Sequence, residues 1–464
     1  MKKYLLSVFV TFILAFGLNA TPKYIFYFIG DGMGVGAVSL TQNYGRMVLG
    51  NDSLLTMMKF PVASLAFTHS ANSPVTDSAA GGTALATGYK TKNGMVGMTA
   101  DTVAVTSIAT QLQAKGFGVG LITTVSPDDA TPASFYAHQP YRGMYYEVGC
   151  DCANSGFEFI AGAGLRGLKK SNGDPTDLLN VFKQNRVAVV HGLDALNGVK
   201  SRKVMLLGVN PVHANEMGYV VDSIAGQMSL KDMTEAGIKH LKKYAPNKFF
   251  MMVEGGSIDH AGHANDPSGL VMETIGFDKA LKLAYDFYLA HPDETLIVVT
   301  ADHETGGLSL ANRRLHYNIE PKYLQYPQMS KDAFSEMCKS MMRTRMVYTW
   351  DDMKQILIER MGLYDKIPVT AEEDAKFKEL FQAMLENRAA ADEESLYNSY
   401  NAFSVELFKH ISSVSGIGWS TGDHSAAPVP VFAIGCGAEK FSGIQDNTEI
   451  PKKIMSIALG AEGS

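Results

Sequence analysis

The chain has 464 residues, 46% of them hydrophobic and 19% charged, a composition ordinary for a globular protein with a large core. Its formal charge is −6, or −8 once the two lysines of the first twenty residues are set aside. That balance argues against a nucleic-acid binder, which carries a basic face, but a metal cluster can still draw phosphate to an acidic protein.

Lys2 and Lys3 precede an apolar run over 5–16 that ends near Ala20. This is the pattern of a signal peptide over residues 1–20, which predicts a periplasmic or secreted mature chain, 21–464. The run is shorter than the ~20 apolar residues of a membrane span, and no later segment has a span's length and apolarity. Apolar runs then recur at Tyr24–Gly30, Val119–Thr124, Lys203–Val209, Phe249–Gly255, Thr295–Ala301 and Val429–Gly435. Most lack polar alternation, as strands buried on both faces do. Helical patterns lie between them, at Thr102–Lys115 closed by Gly116 and at Asp266–Leu289 closed near Pro292. The alternation predicts an α/β fold: a doubly wound, mostly parallel central sheet flanked by helices. From about 315 to 407 the chain turns charged, Met-rich and helical in pattern, and reads as a helical insertion near the C-terminal third.

Chemistry gathers after the strand patterns. Asp31 follows the first, and Glu254 lies in the fourth, with Asp259, His260 and His263 just beyond. Asp302 and His303 follow the fifth, and His424 precedes the last. In such sheets ligands collect beyond the carboxyl ends of the strands. Each residue has a plainer reading, Asp31 as a turn and the Asp-His pairs as surface hydrogen-bonders, yet four segments converge on one edge. Imidazole with carboxylate and no thiolate suits zinc, and carboxylates with a hydroxyl suit magnesium. A pair of zinc ions ~3.5–4 Å apart can clamp both oxygens of a phosphoryl transfer. Ser78 opens a small-residue helix closed by Gly88; alone it reads first as an N-cap, and alternatively as a nucleophile at an anion-binding helix terminus. Cys150, Cys152, Cys338 and Cys436 read as structural or disulfide-bonded, with three pairings open.

Six motifs together carry a resemblance to the alkaline phosphatase family. They are Phe28–Gly34, Thr76–Ala80, Asp129–Ala133, Val253–Asp259, Val299–His303 and Thr421–His424, in the family's order over residues 24 to 437. The resemblance implies hydrolysis of small phosphate monoesters through a phosphorylated Ser78. It implies a first zinc held by Asp259, His263 and His424, and a second held by Asp302 and His303. Asp31 is shared between the second zinc and a magnesium ion that Thr131 and Glu254 also bind. Arg142 matches the arginine that grips phosphate. Asp129 and His260 fall beside the third metal, a mixed pair in this family, and read as substrate-binding, with His260 acting through water or, alternatively, helping to bind the third metal. Whether that third ion is magnesium or zinc stays open, as does a homodimer, the state of many family members. The alternatives are a related two-zinc phosphodiesterase or phosphonate hydrolase, which commonly has threonine in place of Ser78, and a non-catalytic phosphate-binding protein.

Overall fold

A computed structural model describes residues 21–460 apart from 52–54, 171, 210–215, 345, 387–392, 395 and 397. The expected signal peptide therefore lies outside the described residues. A ten-stranded sheet runs through the molecule in the order Ile444–Asp446, Val62–Phe67, Val429–Gly435, Thr295–Thr300, Tyr24–Gly30, Phe249–Gly255, Gly118–Thr123, Phe159–Gly162, Val204–Leu207 and Ala188–His191. Tyr24–Gly30 pairs in parallel on both sides, Tyr24 lying opposite Phe249 and Thr295. The three strands Gly118–Thr123, Phe249–Gly255 and Thr295–Thr300 are buried along their whole length, which is why their sequences show no alternation.

Val429–Gly435 is antiparallel to both its neighbours, and it alone in this sheet runs against the rest. Its amino end therefore lies at the edge where the other strands end, so His424, just upstream, joins residues that follow the parallel strands. Helix Pro267–Ala290 covers one face. Asp266 caps it by accepting from the Gly269 amide at 2.9 Å, and Pro267 supplies the first helical position. Phe287 of that helix packs edge-on against Phe26 and Phe249. No helix among the described residues is long and apolar enough to cross a membrane.

Some expectations shift. The helix predicted over 102–115 is confined to Ile108–Ala114, capped by Ser107, while Met98 and Ala104 pair as an isolated bridge. β-Branched Val103, Val105 and Thr106 favour that extended approach. Within 315–407 the structure has helices at Lys331–Arg343, Trp350–Met361 and Ala371–Leu385, but the boundary at 407 cuts through a further helix, Ala402–Ser415. Phe334, Phe377, Phe381 and Phe403 are buried among these helices. All four cysteines are unpaired thiols. Cys150 and Cys152 share helix Tyr145–Asn154, where residues two apart do not face each other.

Candidate active site

Every residue singled out at the sheet edge is found there. Asp31 leaves the central strand on a turn whose next residue, Gly32, has φ +67°; a Cβ there would also sit 2.8 Å from Asp259 Oδ1. Glycine serves because the backbone must pass this close while in the left-handed region. Helix Ser257–His263 presents Asp259 and His263 one turn apart, with His263 Nε2 3.4 Å from Asp259 Oδ2. His424 Nε2 lies 3.0 Å from His263 Nε2 and 3.6 Å from Asp259 Oδ1. His303 Nε2 is 3.4 Å from Asp31 Oδ1 and 3.2 Å from Asp302 Oδ2. Among the described residues two ligand-like groups emerge, Asp259–His303–His424 and Asp31–Asp302–His303, each with its donor atoms within 4.8 Å of one another. Thr131 Oγ1 lies 3.4 Å from Asp31 Oδ2 and 3.3 Å from Asp302 Oδ2.

The cluster is electrostatically strained. Burial first, then the neighbouring carboxylates, pushes Asp31 well above the usual range and Asp302 up to about 7. Burial, with Asp129 and Asp302 nearby, pushes Glu254 up to about 8. Burial lowers His303 and His424, favouring the neutral imidazole that a metal needs. Asp31 Oδ1, both carboxylate oxygens of Glu254 and Asp259 Oδ2 are buried without a hydrogen-bond partner. Buried carboxylates normally have partners, so these oxygens fit cations.

Ser78 is the first residue of helix Ser78–Thr87, and the cap is Asp77, whose side chain accepts from the Ala80 amide. The N-cap reading of Ser78 is thereby overturned: one residue further along, its side chain turns inward, with Oγ 3.2 Å from His303 Nε2. A Cβ on Gly81 would lie 2.9 Å from the Asp302 carbonyl, so small residues let this helix press against the ligand-bearing segment. Arg142 donates through Nη2 to Asp129 Oδ1 at 2.8 Å, and its Nη1 lies 3.7 Å from Asp77 Oδ2. Asp129 is held well below the usual carboxylate range: burial opposes this, but Arg166 and then Arg142 outweigh it. His260 is buried, its Nδ1 bonded to Glu216.

Four residues at the site were not singled out from the sequence. Thr305 donates to Asp259 and lies 3.2 Å from His303 Nδ1, and Glu216 holds His260. Arg166 lies 3.4 Å from Asp129, with no motif to mark it, beyond a short strand that the hydrophobic pattern did not reveal. Glu304 accepts from the amides of Gly307 and Leu308, both at 3.2 Å, and from Ser425. It thereby ties Glu304–Thr305 to His424–Ser425, which pair antiparallel. Adjacency to His303 was the only signal for Thr305 and Glu304. Glu304→Ala is expected to lower stability by about 2–4 kcal/mol, because two amides and a hydroxyl lose a buried acceptor. Urea denaturation measures it, and an unchanged midpoint would show that the pairing holds without this side chain.

A model of the family described as alkaline phosphatase matches residues 22–460. Alkaline phosphatase 4 of Bacillus subtilis is 32% identical over 456 residues, covering 95% of this chain and 89% of that protein. The structure of a cold-active alkaline phosphatase from a psychrophilic Shewanella species superposes with a TM-score of 0.78 at 27% identity, covering 94% of this chain and 99% of that one. A mutant of the alkaline phosphatase from the Antarctic bacterium TAB5, with Mg bound in its M3 site, is similar at a TM-score of 0.64 and 27% identity, covering 95% of this chain and 98% of that one.

Proposed function

The chain belongs to the alkaline phosphatase family, and from that premise we propose that Ser78 is the nucleophile of its phosphomonoester hydrolysis, at a site for two zinc ions and one magnesium. The observation that carries this reading is the placement of Ser78 Oγ, inward at a helix start and 3.2 Å from His303 Nε2. Asp259, His263 and His424 would hold one zinc, and Asp302, His303 and Asp31 the other. Asp31, Thr131 and Glu254 form an all-oxygen set that suits magnesium. The buried oxygens of Asp31, Glu254 and Asp259 that accept no hydrogen bond support this assignment. When bound, these ions supply Lewis acidity toward the attacking and departing oxygens.

The chain's own groups then do the following. Arg142 offers a planar fork to two phosphate oxygens. The free amides that begin helix Ser78–Thr87 add to the attraction for an anion. Ser78 Oγ bonds to phosphorus as the ester P–O bond breaks; the proton that the serine gives up is balanced by the one the departing alkoxide takes to leave as alcohol. Water next cleaves the phosphoserine, releasing inorganic phosphate and restoring the hydroxyl. His260, fixed by Glu216, lies on the same helix as Asp259 and would meet phosphate through water. We infer export of the mature chain from the pattern at residues 1–20.

The deciding assay compares a chromogenic phosphate monoester with its matched diester at alkaline pH. A monoester preference of at least about a hundredfold is expected, since a diester lacks one of the charged oxygens that the cations and Arg142 would hold. Preference for the diester would instead assign the two-zinc phosphodiesterase chemistry. A metal-loaded protein inert toward both would leave only phosphate binding.

A further inference from the structure

Two arginines converge on one buried carboxylate, and one of them also lies near Asp77, the residue before Ser78. Arg142 Nη2 donates to Asp129 Oδ1 at 2.8 Å, and Arg166 Nη2 lies 3.4 Å from Asp129 Oδ2. The side chains of Arg142, Arg166 and Asp129 are only 16%, 13% and 6% exposed, so water screens these charges poorly. Arg166 is itself held from several directions. Its Nη1 donates to the Tyr145 hydroxyl at 2.5 Å, and its guanidinium lies over that ring, 4.9 Å from the centroid. The backbone amides of Arg166 and Gly167 donate to the two oxygens of Asp128, at 3.1 and 2.8 Å.

This arrangement bears on how the Arg142 guanidinium is held. A carboxylate facing a single guanidinium tends to take both prongs of its fork, the same prongs that a phosphate needs. Asp129 instead divides its two oxygens between two arginines. We propose that Arg166 is a positioning residue: by engaging the second oxygen of Asp129, it limits that carboxylate to one prong of Arg142, whose other prong lies 3.7 Å from Asp77 Oδ2, and so sets the direction in which the Arg142 fork meets substrate. The proposal rests on the reading of Arg142 as the phosphate-gripping residue. Arg166 acts through Asp129 and touches no reacting atom.

The test is a double-mutant cycle on the full-length, metal-loaded protein. The readouts are kcat and KM for a chromogenic monoester and the inhibition constant of inorganic phosphate. Arg166→Ala is expected to raise KM and the phosphate constant about tenfold with kcat within about threefold, the size of a coupled polar contact. In an Arg142→Ala background the same change is expected to shift the phosphate constant by less than about twofold, because its target is gone. Arg166→Lys keeps a charge for Asp129 but loses the flat seat on Tyr145, and should recover part of the binding. An unchanged phosphate constant in Arg166→Ala overturns the proposal. So does an equal loss in both backgrounds, which would make Arg166 an independent contact. If Arg142→Ala alone leaves phosphate binding intact, the reading of Arg142 fails first and takes this inference with it. Should Arg166→Ala not fold, Tyr145→Phe carries the test, since it removes the hydroxyl that holds Nη1. A rise of about threefold in the phosphate constant is expected there, and no rise overturns the proposal.

Discussion

Ser78→Ala is expected to lower kcat by on the order of 10³- to 10⁶-fold, the range seen when an activated nucleophile is removed. Its stability should barely change. The helix cap is Asp77, which accepts from the Ala80 amide at 2.9 Å and from the Gly94 amide at 2.9 Å, so the substitution removes no cap. A capping serine would have cost about 1 kcal/mol on the same change. Ser78 is buried, and its single hydrogen bond runs to His303 Nε2, so the ligand cluster loses little. The variant should therefore still bind zinc and inorganic phosphate while failing to trap phosphate on the chain. Acid quenching with labelled phosphate, followed by peptide mapping, reads this out. A variant that turns over at the normal rate would place the nucleophile elsewhere, and label on another residue would identify it.

Removing metal with a chelator is expected to abolish turnover and to destabilise the fold, increasingly so as pH rises. Asp31, Asp259, Asp302 and Glu254 are all buried at one sheet edge. Without cations, burial and mutual repulsion hold Asp302 up at about 7 and Glu254 at about 8. A carboxyl whose folded value is raised contributes stability that is full below its unfolded value, near 4, and is lost as pH rises through the folded value. The stripped protein should thus weaken between about pH 4 and 8. The metal-loaded protein gains over the same range, because its ligands must be deprotonated to bind. At a thousandfold excess of metal over its dissociation constant, each site adds about 4 kcal/mol. Thermal melts of stripped and reloaded protein at pH 5.5 and 8 measure the gap. A gap that narrows toward pH 8 would mean that the carboxylates are not what the metal compensates.

The strands most legible in the sequence are those buried on both faces. Phe249–Gly255 and Thr295–Thr300 begin where expected because their burial leaves uninterrupted apolar runs. Val62–Phe67, Phe159–Gly162, Ala188–His191 and Ile444–Asp446 were missed. Three of them have four residues or fewer, and Val62–Phe67, broken by Ser64, and Ala188–His191 are partly exposed, so none carries an apolar run as long as those of the buried strands. The same limit hid Arg166, which follows one of those missed strands.

By itself the sequence determined the chemistry: carboxylates and imidazoles after strand patterns, a serine opening a small-residue helix, and motifs that place the chain in one family. Those signals are local, set by the few residues around each strand end. Tertiary structure decided which of them meet. The antiparallel course of Val429–Gly435 brings His424 to the ligand edge, and one step along a helix turns Ser78 from cap to inward-facing hydroxyl. The pairing of Arg166 with Asp129 joins residues 37 positions apart through the packing of two loops. Such contacts depend on where separate segments come to rest in space, and residue type and spacing along the chain do not encode that directly.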